Sequence, residues 1–390
     1  MIPLALATLA SAAWLYLPVG RGAFWRARPR DDVPPRLPDV VLPTVVALIP
    51  ARNEAQCIRA SVASLLTQDY AGRLSVVVID DESTDATAAT ALDAARVCNA
   101  LDRFTALRAS ARPHGWTGKL WALQCGLDAL SPGSRADYVL FTDADIVHAS
   151  DNVRAVVGRA ERDDLGLVSI MARLRCVSLV ERAFVPAFVF FFAMLYPFDW
   201  INRRDRRSAG AAGGCMLLRR AAFEESGGLR AIRGAIIDDC ALARRIKMRH
   251  ALWLGLSDRV HSTRAYESLS DIRNMIVRSA YAQLRFSPVL LALTALAMTV
   301  AFIAPPVLTI AGEGPARVLG LCAWGMMALA LQPTLQFYRV SSWWGLALPV
   351  IALMYVVFTL DSAWQAMRGR AGAWKGRVYP IEARRTLPWD

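Results

Sequence analysis

"TVVALIPARNEA" (Thr44–Ala55) starts as an unbroken apolar run and ends in Arg52, Asn53 and Glu54. A strand with one wet face would alternate polar and apolar residues. This one does not, so it reads as a strand buried on both faces. Outward from it, "EAQCIRASVASLLTQ" (54–68) has helical spacing and "LSVVVIDD" (74–81) is a second apolar run. "STDATAATALDAARV" (83–97) is an alanine-rich helical pattern, and "DYVLFTDAD" (137–145) is a later strand. Strands alternating with helices predict an α/β domain whose mostly parallel sheet is covered on both faces. Ligands of such sheets bind beyond the carboxyl ends of the strands. The polar residues gather there: "PARNEA", "DDESTD" and "DAD".

No G-x-G-x-x-G follows the first strand, which argues against a dinucleotide dehydrogenase, and no G-x-x-x-x-G-K-[ST] appears. A nucleotide held by carboxylates instead needs a divalent metal to neutralise its phosphates. Asp143 and Asp145, one residue apart, read either as a strand-ending turn or as such a metal site.

The chain has 390 residues, 55% hydrophobic and 20% charged, with a mean hydropathy of +0.31. That pattern fits a soluble domain joined to membrane segments. A net charge of +12 suits anionic lipid headgroups first, then phosphorylated substrates. No nucleic-acid motif accompanies it, so nucleic acid is not an expected partner. The seven cysteines form no CxxC pair, which points to reduced thiols in a cytoplasmic domain.

Residues 1–20 carry no charge and are followed by "RGAFWRARPR". With no basic residues before the apolar run, an uncleaved transmembrane anchor is expected in place of a signal peptide. The arginines place the following chain in the cytoplasm. Uncharged stretches at 286–312, 318–338 and 340–360 are each long enough to span. Three spans would put the basic tail (363–390) outside, against the positive-inside rule. Either one segment is re-entrant or broken at Pro305-Pro306, or the tail defies that rule. "AFVPAFVFFFAMLYPFDWI" (183–201) is expected to lie along the membrane surface, with a buried core helix as the alternative.

Taken in order, "PARNEA", "VVIDDESTD", "GWTGKLWALQCGL", "FTDAD" and "IIDDCALARRI" resemble the inverting glycosyltransferases of family 2, which have the GT-A fold. The resemblance covers about 40–285, with membrane segments expected over 286–362. The layout also resembles the hopanoid-biosynthesis-associated members of that family, through "GAAGGCMLLRR", "AYAQLRFSP" and a C-terminus ending in "WKGRVYP".

The resemblance implies that Pro50, Arg52, Asn53, Glu54, Asp80, Asp81, Ser83, Lys119 and Asp143 bind a nucleoside-diphosphate sugar. Glu54 and Asp81 are suited to accept hydrogen bonds from a base or ribose. Asp85 reads equally as a helix cap. Asp143 and Asp145 would hold Mg²⁺ or Mn²⁺ against the diphosphate. The resemblance takes the catalytic base from the second member of an acidic pair, hence Asp239, with Asp238 as runner-up. Gly213 and Gly214 suit a close backbone approach to sugar or acceptor. Arg278, Gln283 and Arg285 are candidates for the diphosphate or acceptor. "AQLRFS" does not match the Gln-x-x-Arg-Trp of polymer-building relatives. His148 and His261 read as surface histidines ahead of metal ligands.

The expected function is therefore transfer of one sugar, from a UDP-sugar by resemblance, to a lipid acceptor, a hopanoid by resemblance. It would occur on an anionic phospholipid surface at the cytoplasmic face of the inner membrane. A polyprenyl phosphate acceptor, a processive polysaccharide synthase and a catalytically dead scaffold are the alternatives.

Overall fold

The computed structural model describes residues 1–31, 42–130 and 136–370. The expected tail beyond 370 lies outside the described residues. The chain forms two compact units. One comprises Pro29–Leu174 and Trp200–Arg264 and carries the sheet. The other comprises Met1–Arg28, Arg175–Asp199 and the described chain from Ala265 to Arg370, and carries the apolar helices. Residues 175–199 and 265–285, inside the span expected for the catalytic domain, thus pack with the apolar helices.

The sheet has eight strands: β1 (Val45–Ala51), β2 (Leu74–Asp80), β3 (Phe104–Arg108), β4 (Tyr138–Thr142), β5 (Ile146–His148), β6 (Leu165–Arg173), β7 (Cys215–Arg219) and β8 (Ala251–Ser262). Their order is β3-β2-β1-β4-β7-β6-β8-β5. β3, β2, β1 and β4 run parallel. β7 is antiparallel to β4 and β6, and β5 is antiparallel to β8. Every residue of β1 and β4 is buried, as an inner strand of a sheet covered by helices on both faces must be. Leu48 and Ile49 are fully buried, each stabilising the fold by roughly 1.5–3 kcal/mol.

β1 pairs with β2 as far as Ala51↔Asp80, but with β4 only from Val45↔Tyr138 to Leu48↔Phe141. β1 and β4 therefore part at their carboxyl ends. The chain leaves β1 toward β2 on one side while β4 lies on the other, which is where an open α/β sheet forms its binding crevice. Pro50 falls beyond the last β4-paired residue, a position that tolerates its missing N–H. The helix expected from residue 54 begins at Ile58. Glu54–Cys57 instead form a turn, with the Cys57 and Ile58 amides donating to the Glu54 carbonyl.

Among the described residues of the second unit, Ile2–Gly20, Pro288–Ala311 and Gly314–Tyr338 are long and apolar enough to cross a membrane. Leu348–Met367 and Leu179–Ile201 qualify as well, so the stretch expected to lie on the surface belongs to a helix of spanning length. Pro305-Pro306 does not break its helix. A π-helical turn, Thr299–Ile303, absorbs the prolines instead. Pro305 cannot donate to the Ala301 carbonyl, and the Trp14 indole N–H donates to it at 2.6 Å. Glu181, fully buried, closes a capping box with Ser178 and accepts from Arg175 and the Val177 and Tyr266 amides at 2.8–2.9 Å.

Candidate active site

The loops after β1 and β2 are clasped together. Arg52 Nη1 donates to the Asp81 carbonyl at 2.5 Å. The Asn53 amide donates to Ser83 Oγ at 3.0 Å, and the Thr84 amide returns a bond to Asn53 Oδ1 at 2.8 Å. Asn53 and Glu82 adopt positive φ, the left-handed conformation that asparagine tolerates best among non-glycine residues. Asp80 Oδ1 accepts from the Ser83 amide at 3.2 Å. Asp85, open between cap and ligand by sequence, accepts from the Ala55 amide at 3.1 Å and the Thr87 amide at 3.0 Å. Slight burial would raise its pKa, but bonds from the Thr87 hydroxyl and these amides win, so it lies below the usual carboxylate range. Asp85 is thus a tie between the two loops. Glu54 and Asp81 are buried at the same edge.

On the far side of the crevice, Asp143 Oδ1 meets Lys119 Nζ at 2.8 Å. Lys119 is in the first turn of the helix Gly118–Asp128, capped by Thr117. Its ammonium also reaches Asp238 Oδ2 at 3.7 Å. Burial opposes the charge on Lys119, but Asp143, Asp238 and Asp239 together raise its pKa above the ordinary value. A helix N-terminus by itself disfavours a cation, and here the carboxylates outweigh the dipole.

Asp238 and Asp239 open the helix Asp238–Lys247. Asp239 Oδ2 accepts the Gly213 amide at 2.9 Å and Oδ1 accepts the Cys240 amide at 2.7 Å. Burial, then the neighbouring Asp238 charge, push its pKa up to about 6 against the pull of Lys119 and those amides. The two glycines differ. A Cβ on Gly213 would come within 3.2 Å of Lys119 Nζ and 3.4 Å of Asp239 Oδ2, whereas one on Gly214 would meet Ile146 at 3.2 Å and Ala172 at 3.4 Å. Gly213 faces the charged cluster and Gly214 faces the core.

Asp145 is held from β8. Its Oδ2 accepts from Ser262 Oγ at 2.6 Å and from Arg264 Nε at 3.2 Å. The other arm of Arg264, Nη2, reaches Glu54 Oε1 at 2.7 Å. Ser262 and Arg264 lie more than a hundred residues from Asp145 in sequence, and "STRAYES" offered no motif by which to find them. His148 is a correction: it is buried, at 3% exposure. Its Nδ1 accepts from Asn152 Nδ2 at 2.9 Å and its Nε2 donates to Thr142 Oγ1 at 3.0 Å, tautomer roles that follow from the network. Thr142 passes the chain on to the Gly214 carbonyl at 2.8 Å. Both ring nitrogens are occupied, and burial drives the pKa down to about 3. His261 is exposed.

The remaining candidates fall in the unit of apolar helices. Gln283 accepts from the Tyr196 hydroxyl at 2.8 Å, Arg278 ends the helix Leu269–Val277, and Arg285 has positive φ.

Among the described residues, no group of three or more His, Cys, Asp or Glu side chains could hold a metal alone. A carboxylate pair is nevertheless what Mg²⁺ or Mn²⁺ uses when substrate phosphates and water complete its shell. Asp143 is the open member at 37% side-chain exposure, against 12% for Asp145. The pair fits a divalent ion of this kind.

The profile described as Glycosyl transferase family 2 matches residues 46–227. The chain is a glycosyltransferase, and its likeness to family 2 is confined to residues 46–227. That range takes in β1 to β7, with Lys119, Asp143, Asp145 and both glycines, and stops before the acidic pair. No curated protein matches the chain. Among solved structures, the mannosyltransferase PcManGT from Pyrobaculum calidifontis, in complex with GDP-Man and Mn²⁺, aligns with 93% of this glycosyltransferase. The alignment covers 99% of that chain, at 22% identity and a TM-score of 0.58, and shows the shared GT-A fold. The Mycobacterium tuberculosis glucosyl-3-phosphoglycerate synthase, with Mn²⁺, UDP and phosphoglyceric acid, aligns over 62% of this chain and 78% of its own at 18% identity and a TM-score of 0.39.

Proposed function

We propose that this glycosyltransferase is membrane-bound and inverting, and that it moves one sugar from a nucleoside-diphosphate sugar to a lipid acceptor at the cytoplasmic face. The observation that carries the reading is Asp239. It is a carboxylate fixed by two amides, raised toward neutrality by burial and Asp238, and facing Lys119, whose ammonium also pairs with Asp143. Inversion by a single in-line attack requires such a base on the acceptor side. Asp239 accepts the proton of the acceptor hydroxyl as its oxygen attacks the anomeric carbon. Glu54 and Asp81 hold the nucleoside, and Lys119 places a positive charge against the diphosphate. A divalent ion bound by Asp143 and Asp145 would supply Lewis-acid stabilisation of the departing nucleoside diphosphate.

Helices of spanning length in the same chain support an acceptor that resides in the bilayer. The sequence layout makes a hopanoid the first acceptor to try and a polyprenyl phosphate the second. The Gln-x-x-Arg-Trp motif is unmatched, which favours one sugar over a polymer.

The test is metal-dependent protection of the purified protein against heat by UDP and GDP, alongside Asp143→Asn and Asp145→Asn. One nucleotide with Mn²⁺ should raise the melting temperature of the wild type only, and thereby name the donor base. A wild type that no nucleotide stabilises with any divalent ion would return the two aspartates to a strand-ending turn.

A further inference from the structure

Glu54 follows β1 and Asp145 follows β4, on opposite lips of the crevice. Both are buried, so each would repel the other's charge at close range with little water to screen it. One side chain addresses both. Arg264 gives Nη2 to Glu54 at 2.7 Å and Nε to Asp145 at 3.2 Å. These donors lie on one edge of the planar guanidinium, whose geometry is fixed, so the distance between the two carboxylates is fixed with it. Arg264 is itself seated: its amide donates to Ser262 Oγ at 3.2 Å, and that hydroxyl donates to Asp145 Oδ2 at 2.6 Å. The Ile146↔Ser262 pairing and the bond from the Thr263 amide to the Asp145 carbonyl at 2.9 Å lock this end of β8 to the Asp145 backbone.

We infer that Arg264 is a positioning residue. It is a strut that sets the nucleoside-binding carboxylate Glu54 and the metal-binding carboxylate Asp145 in register, with Ser262 as the second support of the metal arm. The inference rests on the donor reading above and deepens it. The nucleoside site and the metal site are one mechanically joined unit, not two sites linked only through the donor's phosphates. Outer partners that orient ligating carboxylates commonly account for roughly 10–100-fold in affinity. A lysine keeps the charge but is a single point, and it cannot span two carboxylates.

The experiment uses the full chain in detergent, with UDP and GDP as probes. Dissociation constants are measured by calorimetry without metal and at saturating Mn²⁺, together with the Mn²⁺ midpoint at fixed nucleotide and the ligand-free melting temperature. Arg264→Lys should weaken metal-free nucleotide binding about tenfold and raise the Mn²⁺ midpoint about tenfold, with the ligand-free melting temperature nearly unchanged. Ser262→Ala should raise the Mn²⁺ midpoint alone. Arg264→Gln should match or exceed the lysine variant, and if it does not fold the other two variants carry the test. Wild-type nucleotide affinity and Mn²⁺ midpoint in Arg264→Lys overturn the strut. So does a fall in ligand-free melting temperature with unchanged binding by the folded fraction, because that describes a stabilising contact only. If the wild type itself binds neither nucleotide with any divalent ion, the donor reading fails first and the strut with it.

Discussion

The acid limb of the pH–rate profile tests the assignment of the base most directly. Asp239 has a pKa of about 6, where an ordinary aspartate has 3.8. A base of pKa near 6 is ~90% ionised at pH 7 and ~10% ionised at pH 5, so kcat/KM should fall about tenfold over that interval. An unperturbed aspartate would still be more than ~90% ionised at pH 5 and would show almost no fall. The charged groups facing Asp239 are Asp238 on its own helix and Lys119 on the helix Gly118–Asp128, with Asp143 behind Lys119. Asp238→Asn removes the like charge and should move the acid limb downward, though not back to an ordinary value, because burial is the larger cause. Asp239→Asn should lower activity by about 10²–10⁴-fold. The assay is release of nucleoside diphosphate, or transfer of labelled sugar to membrane lipid, with Mn²⁺ saturating at every pH so that loss of metal does not enter. An acid limb near pH 4 would refute the raised carboxylate. Full activity in Asp239→Asn would refute the base and point to an acceptor already ionised at neutral pH, such as a polyprenyl phosphate.

Two further outcomes follow from the surrounding packing. His148 has a folded pKa depressed to about 3 against 6.5 unfolded, so acid protonates the unfolded chain first and stability is lost as pH falls below the unfolded value. The loss from this group should be about 2 kcal/mol between pH 7 and pH 5. It is read as a steeper fall of melting temperature than in His148→Gln, and equal slopes would contradict it. Gly213→Ala presses on the flexible end of Lys119 and on Asp239. It should reduce kcat with little change in melting temperature, whereas Gly214→Ala should cost about 1–3 kcal/mol of stability by overpacking. A reversed pattern would mean that the two glycines have exchanged roles.

Much of the sheet was legible locally. β1, β2 and β4 are continuous apolar runs because each lies between two neighbouring strands under helices, and that demand is written residue by residue along the strand. Their polar ends, Glu54, Asp81 and Asp143, were legible for the same reason: a buried strand must stop where side chains return to water or ligand. Lys119, Asp238 and Asp239 came from motif order alone. What binds them is not in that order. Asp85 faces the Ala55 amide, His148 lies inside the chain Asn152–His148–Thr142–Gly214, and Gln283 is taken up by Tyr196.

By itself the sequence determined the α/β alternation, the buried strands and the place along the chain where carboxylates would gather, because burial and periodicity act over a few neighbouring residues. Only the tertiary structure decided which carboxylate is open and which is held, that a histidine beside the aspartates is core, and that Arg264 spans Glu54 and Asp145. Those bonds join residues 119 and 210 positions apart. A hydrogen bond across such a separation is set by where the sheet brings two strand ends, and no local pattern in either segment records it.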